Sequence, residues 1–211
     1  MTQETIAFTG HELVALAGMS TSAGSTKTSE VLQLPVGEEA ADFALMGAAT
    51  LVVRDFATTD GEELDLQGPA RHVAVVFAES SEWVEVAVMT ADEAVTAYTL
   101  IGAPLGGLAL QVVKLGIREV NPLRPEVDLI DLAVAVVRER FEEVGSVAAI
   151  GTVKWHREDS SWQAASLQRS EAGDWQVVGP ETNTDDSAEV MTVTASTVWQ
   201  EWAGRLRQGA Q

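Results

Sequence analysis

The stretch Leu108–Val144, LALQVVKLGIREVNPLRPEVDLIDLAVAVVRERFEEV, decides how the chain is interpreted. Its first part, Leu108–Val120, is rich in aliphatic and β-branched residues and predicts one long strand. After a turn closed by Pro125, Asp128 stands where a helix N-cap is expected. The apolar residues that follow recur at helical spacing, and Gly145 ends the pattern as a C-terminal stop. The stretch therefore predicts a strand followed by an amphipathic helix.

Strands joined by short connections flank this stretch on both sides. Alternating patterns predict five strands. One begins at Glu82, and the others lie at Ala94–Ile101, Val147–Trp155, Trp162–Leu167 and Trp175–Val178. Short connections favour antiparallel meanders over crossover units. We therefore expect an α+β fold with a mostly antiparallel central sheet of two meanders, flanked by helices. Residues 1–211 are expected to form one domain, with two similar halves at about 1–120 and 121–211.

The N-terminal part predicts helices around a small β-wing. Thr9 is a possible cap for a helix within Ile6–Met19, acids after Gly37 open a second helix, and Pro69 precedes a third. Asp60-Gly61 is a favourable turn pair for the wing between the last two helices, whose strands are expected at Leu51–Phe56 and Glu63–Leu66. Residues 20–30 are nearly all small and polar, which predicts a flexible loop.

Composition excludes several classes of function. The chain has a net charge of −19 and only 13 basic residues, which argues against binding to nucleic acid and to anionic membranes. It contains no cysteine, so disulfides and thiolate zinc sites are impossible. We find no apolar run of membrane-spanning length and no signal-peptide pattern at the N-terminus. The chain is expected to be cytoplasmic, as a monomer or homodimer.

No stretch of the sequence carries a catalytic signature. The three histidines lie far apart, and the phosphate-binding, dinucleotide-binding and serine-hydrolase motifs are absent. We therefore expect no catalytic residues, no metal ligands, no cofactor and no enzymatic activity. The alternative is an enzyme or small-ligand-binding protein whose site is assembled from distant residues, such as His72 with Arg118 or Arg138. A structural subunit whose acidity serves only solubility is a third hypothesis.

Tryptophan is concentrated in the last third of the chain, which holds five of the six residues. One interpretation is a core of cross-strand aromatic pairs covered by a final helix that runs through Leu206 from a cap at Thr194 or Ser196. The other is an exposed aromatic anchor for a protein partner. The partner-binding residues would then lie on or beside one face of that helix: Val198, Trp199, Trp202 and Leu206.

Three segments resemble the EspG family, the cytosolic chaperones of actinobacterial type VII (ESX) secretion systems. They are FTGHELVALAG at Phe8–Gly18, LVVRDF at Leu51–Phe56 before Asp60-Gly61, and GDWQVVGP at Gly173–Pro180. Asp55 stands where that family usually has glycine. The resemblance implies an α+β fold of two similar halves and non-catalytic recognition of a helical secretion substrate of the PE–PPE or related hairpin type. It assigns no binding residue.

Overall fold

The computed structural model describes residues 5–61, 63–91, 95–114, 116–157, 161–182 and 188–210. The helices in these ranges are α1 (Gly10–Gly18), α2 (Ala23–Val31), α3 (Glu38–Val53), α4 (Gly68–Glu79), α5 (Leu129–Glu143) and α6 (Val198–Ala210). The strands are β1 (Ile6–Phe8), β2 (Ala57–Asp60), β3 (Glu63–Leu66), β4 (Glu82–Thr90), β5 (Val95–Ala103), β6 (Gly106–Lys114), β7 (Ile117–Leu123), β8 (Ala149–His156), β9 (Trp162–Arg169), β10 (Trp175–Thr182) and β11 (Val190–Val193).

The predicted α+β class with a large antiparallel sheet is confirmed. Nine strands follow the order β1-β7-β6-β5-β4-β8-β9-β10-β11, and β2 and β3 form a separate hairpin. Both predicted meanders are present, because β4 to β7 and β8 to β11 are each adjacent in sequence order. None of the helices in the described ranges is both long and apolar enough to cross a bilayer.

The chain divides into two compact units that differ from the expected halves. Unit 1 contains residues 1–83 and 101–125, and unit 2 contains residues 84–100 and 126–211. The expected division near residue 120 placed residues 84–100 in the first half, whereas in the structure they belong to unit 2. Sequence order alone could not show this, because the β4–β5 hairpin looks like an ordinary continuation of what precedes it.

Unit 1 packs α1 to α4 around one apolar core. Thr9 caps α1 as predicted, since its side chain accepts from the Glu12 N–H while the Glu12 carboxylate accepts from the Thr9 N–H. The third predicted helix is present as α4, with Val73, Val76 and Phe77 buried. The wing is the β2–β3 hairpin, although Leu51–Val53, expected in its first strand, still belong to α3.

The prediction of one long strand at Leu108–Val120 is wrong. The segment forms two antiparallel strands, β6 and β7, whose register shifts between Val112 and Lys114. Gly116 lies between them with φ of +72°, a left-handed conformation that glycine adopts without steric cost. The turn was missed because the aliphatic residues continue on both sides of this glycine.

The prediction of a flexible loop at residues 20–30 is also wrong, because α2 occupies Ala23–Val31. Ser22 caps this helix by accepting from the Ser25 N–H, and the Ser25 hydroxyl donates to the Ala17 carbonyl. The Thr28 hydroxyl bonds the Ser80 hydroxyl at 3.0 Å and accepts from the indole N–H of Trp83 at 2.9 Å. Small polar residues thus form a helix with one buried side, because tertiary hydrogen bonds satisfy the hydroxyls there.

In unit 2, α5 and α6 pack on the strands β8, β9 and β10. The predicted start of α5 is confirmed, since the Asp128 side chain accepts from the Asp131 N–H at 2.8 Å. Its end is also as predicted, with Gly145 at φ of +60° directly after the C-cap Val144. A Cβ on Gly151 of β8 would lie 2.4 Å from Val137 Cγ1, so α5 approaches this strand too closely for any larger residue.

Candidate interaction surface

The surface that stands out in unit 1 is one side of α3. The other side of this helix is packed against α1. Gly47 is the point of closest approach, since a Cβ there would lie 2.0 Å from the His11 carbonyl oxygen. Nearby, the Phe43 ring stacks on the His11 ring with centroids 4.7 Å apart, and Leu51 is fully buried. The inner side of α3 is therefore held in one position by close helix packing.

On the outward side, four apolar residues spaced four apart form a row along the helix. They are Ala41, Leu45, Ala49 and Val53, and all four are exposed. The exposed fractions are 72% for Leu45 and 82% for Val53, and Met46 beside the row is 48% exposed. We call these four residues, with Met46, the α3 ridge. At 1.5 Å per residue the row is about 18 Å long.

The α3 ridge is unusual because no charged residue interrupts it. Residues 43–53 form an uncharged run, FALMGAATLVV, that faces the core on one side and solvent on the other. A helix that is apolar all round is normally buried all round, and contiguous apolar surface on a folded protein marks an interaction site. The ridge is therefore a contiguous exposed apolar surface, the kind of surface that proteins use for interactions.

The C-terminal end of α3 is fixed by a helix-stop motif. The Asp55 N–H donates to the Val52 carbonyl, and the Phe56 N–H donates to the Leu51 carbonyl at 2.8 Å. This is the Schellman pattern, which requires a left-handed residue at the position after the cap. Asp55 occupies that position with φ of +59°. Asp55 thus occupies a backbone conformation that glycine adopts without steric cost.

An ion pair between exposed Arg54 and buried Glu12 anchors the same end of the helix to α1. The Arg54 Nη1 donates to both carboxylate oxygens of Glu12, at 2.8 and 2.9 Å, and Glu12 is fully buried. The Arg54 Nη2 donates to the Ala7 carbonyl, and the guanidinium lies 4.5 Å from the Phe56 ring centroid. This network fixes the C-terminal end of α3 to α1 and to the strand before it.

The surroundings of the α3 ridge are strongly acidic. Residues 37–66 contain eight acidic residues and one basic residue. That single base is Arg54, which is already paired with buried Glu12. The exposed acids lie on both sides of the ridge in sequence: Glu38, Glu39 and Asp42 at its start, and Asp55, Asp60, Glu63 and Asp65 after its end, the last three on the adjoining hairpin. The ridge is therefore apolar along its length and negatively charged at both ends.

An apolar groove adjoins the first turn of α3. It has a volume of about 240 Å³ and is lined mainly by Val14, Ala17, Leu34, Pro35, Val36 and Ala40, together with serine and threonine residues of α2. Of those α2 residues, Ser25 and Ser29 donate their hydroxyls to backbone carbonyls. The groove therefore presents mostly aliphatic surface that reaches Ala40 in the first turn of α3.

The residues predicted as a partner-binding face lie on α6 in unit 2. Val198, Trp202 and Leu206 have no exposed surface, because this face packs on β9, β10 and α5. Trp199 is half-buried, with its ring centroid 5.8 Å from that of Phe141 and 6.2 Å from that of Trp202. Three of the four residues are thus unavailable at the surface, and the structure supports the alternative interpretation, in which the tryptophans form core.

Arg169 completes this aromatic cluster. Its guanidinium lies 5.1 Å from the Phe141 ring centroid and 5.3 Å from the Trp175 ring centroid, and it donates to the Val147 carbonyl at 2.7 Å. Burial lowers the pKa of this guanidinium, because the surrounding protein replaces water around the charge. The contacts show a structural cation that links the sheet to the end of α5.

The alternative of a site assembled from distant residues has limited support. A cavity of about 270 Å³ contains His72 with Arg71 and Glu79, but Arg118 does not line it. Arg118 instead donates to the Leu32 carbonyl at 2.7 Å, and burial lowers its pKa. Within the described ranges, no three His, Asp or Glu residues are grouped so as to hold a metal ion.

The third histidine also has a structural partner. His156 Nε2 lies 2.5 Å from Glu85 Oε1, and the ammonium of Lys154 lies 3.8 Å from the same oxygen. Lys154 in turn covers the Trp162 ring at 4.6 Å from its centroid. His156 is buried.

The sequence itself contains a signal for the α3 ridge. The uncharged run at residues 43–53 is longer than one buried helix face requires, so some of its apolar residues had to be exposed. The predicted face on α6 follows the ordinary amphipathic pattern, which indicates burial. No protein-family model and no curated protein matches the chain.

Proposed function

We propose that the protein is a non-catalytic adaptor that binds a helix of a partner protein on the α3 ridge. The observation that carries this proposal is the uninterrupted row of exposed apolar side chains on a helix whose other side is fixed to the core. Helix-in-groove and helix-on-helix recognition use apolar anchors at this spacing.

The shape of the ridge suits a second helix. Small residues alternate with large ones along the row, so Ala41 and Ala49 leave depressions beside the projecting Leu45 and Val53. Rows of residues four apart are those that interdigitate when two helices pack in the commonest class of crossing. Covering Leu45 and Val53 completely would contribute about 1.5–3 kcal/mol for each side chain.

The resemblance to the EspG family supplies the class of partner. In that case the adaptor is a cytoplasmic chaperone, and its partner is a helical secretion substrate of the PE–PPE or related hairpin type. The ion pair of Glu12 and Arg54 supports this proposal, because it connects two of the resembling segments at the C-terminal end of α3. A chaperone of this kind needs a rigid apolar surface and no catalytic group.

Affinity capture tests this proposal. Tagged protein is used as bait in an actinobacterial lysate that contains a type VII secretion system, and captured proteins are identified by mass spectrometry. The ridge variant is Leu45→Ser with Val53→Ser. The matched control is Val95→Ser with Val190→Ser, which changes two valines of unit 2 that are 63% and 58% exposed.

We expect wild type and control to capture a helical secretion substrate, and the ridge variant to recover at least about tenfold less, as the loss of about 1.4 kcal/mol implies. Capture of the same substrate by the ridge variant at wild-type level would refute the assigned surface. Recovery of no helical protein by any bait would refute the adaptor function. Type VII secretion genes next to the gene for this chain would add independent support.

A further inference from the structure

We infer that the α3 ridge binds an amphipathic helix of another protein whose apolar stripe carries lysine or arginine at both ends. This inference rests on the proposed function and specifies the chemistry of its partner. Its basis is the distribution of charge around the ridge. Acidic residues lie at both ends, and the run between them is uncharged.

The first end of the ridge carries three exposed carboxylates, at Glu38, Glu39 and Asp42. Among the described residues, none of these three forms an ion pair or a side-chain hydrogen bond, so no basic side chain there neutralises them, although they lie at the positive end of the α3 dipole. Asp42 directly follows the first ridge residue, Ala41, in sequence. A basic side chain one turn beyond the partner's apolar stripe would reach this group.

The second end is acidic for a separate reason. Asp55 immediately follows α3, and the β2–β3 hairpin that continues from it exposes Asp60, Glu63 and Asp65. The one base in this region, Arg54, is already neutralised by buried Glu12. A partner therefore meets uncompensated negative charge here too, and a helix with only one basic end would leave these acids unmatched.

A second copy of this chain does not match the ridge. Antiparallel pairing of two α3 helices would place the acids of one first turn against Asp55 and the hairpin acids of the other copy. Parallel pairing would place the first-turn acids against each other. Each copy also carries a net charge of −19. Like charges within a Debye length, roughly 8 Å at physiological salt, oppose such a contact.

Synthetic peptides provide a direct test. Two fluorescein-labelled helical peptides share one leucine–alanine stripe of the length of the ridge. One has lysines at both ends, and the other has glutamates at the same positions. Fluorescence anisotropy gives the dissociation constant of each for the full-length protein at low and high salt. We expect the lysine-flanked peptide to bind at least about tenfold tighter, and its affinity to fall as salt rises.

Ridge and charge variants separate specific docking from non-specific electrostatic attraction of the lysine-flanked peptide to an acidic protein. The ridge variant Leu45→Ser with Val53→Ser keeps the net charge, and we expect it to lose binding of the lysine-flanked peptide at least about tenfold. Circular dichroism and thermal melting confirm that this variant is folded. Unchanged affinity in this folded variant would overturn the inference.

The charge variant removes three carboxylates at the start of the ridge: Glu38→Gln, Glu39→Gln and Asp42→Asn. Its matched control removes three exposed carboxylates of unit 2: Glu139→Gln, Glu171→Gln and Glu201→Gln. We expect the first set to weaken the lysine-flanked peptide by about five- to tenfold and the second by less than about twofold. Equal weakening by both sets would overturn the inference, because it would show non-specific attraction.

Other results would overturn the inference without affecting the proposed function. Equal affinity for both peptides, while lysate capture of a helical substrate still depends on Leu45 and Val53, would show a ridge without charge selection. A dimer in analytical ultracentrifugation that Leu45→Ser abolishes would assign the ridge to a second copy. Ridge-dependent binding to phosphatidylcholine vesicles would assign it to a lipid surface. Failure of both peptides and of lysate capture would instead refute the proposed function.

Discussion

Helices α3 and α6 present opposite cases of how an apolar pattern relates to burial. In α6, Val198, Trp202 and Leu206 lie on one face, polar residues occupy the other, and the apolar face is completely covered within unit 2. In α3, apolar residues lie on both sides, and the outer ones remain uncovered within the chain. A regular amphipathic pattern therefore indicates an element whose packing is complete.

The excess of apolar residues in α3 indicates the opposite, a helix with apolar surface that the chain leaves uncovered. One face of the helix already contacts α1 through Gly47 and Leu51, so the α3 ridge adds nothing to this core. Exposed side chains such as Leu45 contribute little to folding, because folding removes little of their surface from water. Their value has to come from an association outside the chain. Mutations that separate stability from binding test this distinction.

The largest expected effect is on α6. Trp202→Ala removes a large, fully buried side chain and should lower the free energy of unfolding by about 3–5 kcal/mol. Leu45→Ala on the α3 ridge removes a side chain that is 72% exposed and should change it by less than about 0.5 kcal/mol. Urea unfolding followed by tryptophan fluorescence measures both. A loss above about 2 kcal/mol for Leu45→Ala would contradict the assignment of the ridge as uncovered.

The second comparison places the same substitution on the two helices. Gly47→Ala introduces a Cβ 2.0 Å from the His11 carbonyl oxygen and should destabilise the protein by about 1–3 kcal/mol, because backbone has to move. Gly204→Ala in α6 meets no atom within 4 Å and should stabilise by up to about 1 kcal/mol through helix propensity. Chemical denaturation of both variants checks the signs. Destabilisation of similar size in both would disprove the close α1–α3 contact.

The smallest expected effect concerns the end of α3. Asp55→Gly relieves a left-handed backbone conformation at φ of +59° and should stabilise by about 0.5–1 kcal/mol. The matched control, Ala49→Gly, places glycine inside the same helix on its exposed side and should cost about 1 kcal/mol. Stabilisation by Asp55→Gly together with destabilisation by Ala49→Gly, each measured by thermal and urea unfolding, would verify the helix-stop geometry. Destabilisation by Asp55→Gly would mean that the aspartate side chain itself stabilises this turn.

Local signals in the sequence predicted much of the fold. The Asp128 cap and the Gly145 stop fixed α5 correctly, because both act through backbone groups only a few residues away. Thr9 and Pro69 located α1 and α4 for the same reason. The meanders were predictable because alternation with a period of two and short connections are also local properties.

The failures involve contacts between residues far apart in the chain. Helix α2 looked like a loop because its Ser and Thr residues are stabilised by distant partners, such as Ser80 and Trp83. The sequence leaves the aromatic face of α6 open between core and partner-binding surface, because its own pattern does not show what covers it. The α3 ridge was not predicted, because only the packed structure shows which apolar residues are left exposed.

The discontinuous path of the chain has a consequence for its synthesis and for shortened fragments. Residues 84–100 belong to unit 2 but emerge from the ribosome before the last segment of unit 1 and well before residues 126–211. A fragment that ends at residue 125 would contain all of unit 1, yet Val84, Val86 and Val88, buried in the full chain, would lack the rest of their unit. Such a fragment exposes aggregation-prone strands. Unit 1 therefore cannot be produced by a single truncation.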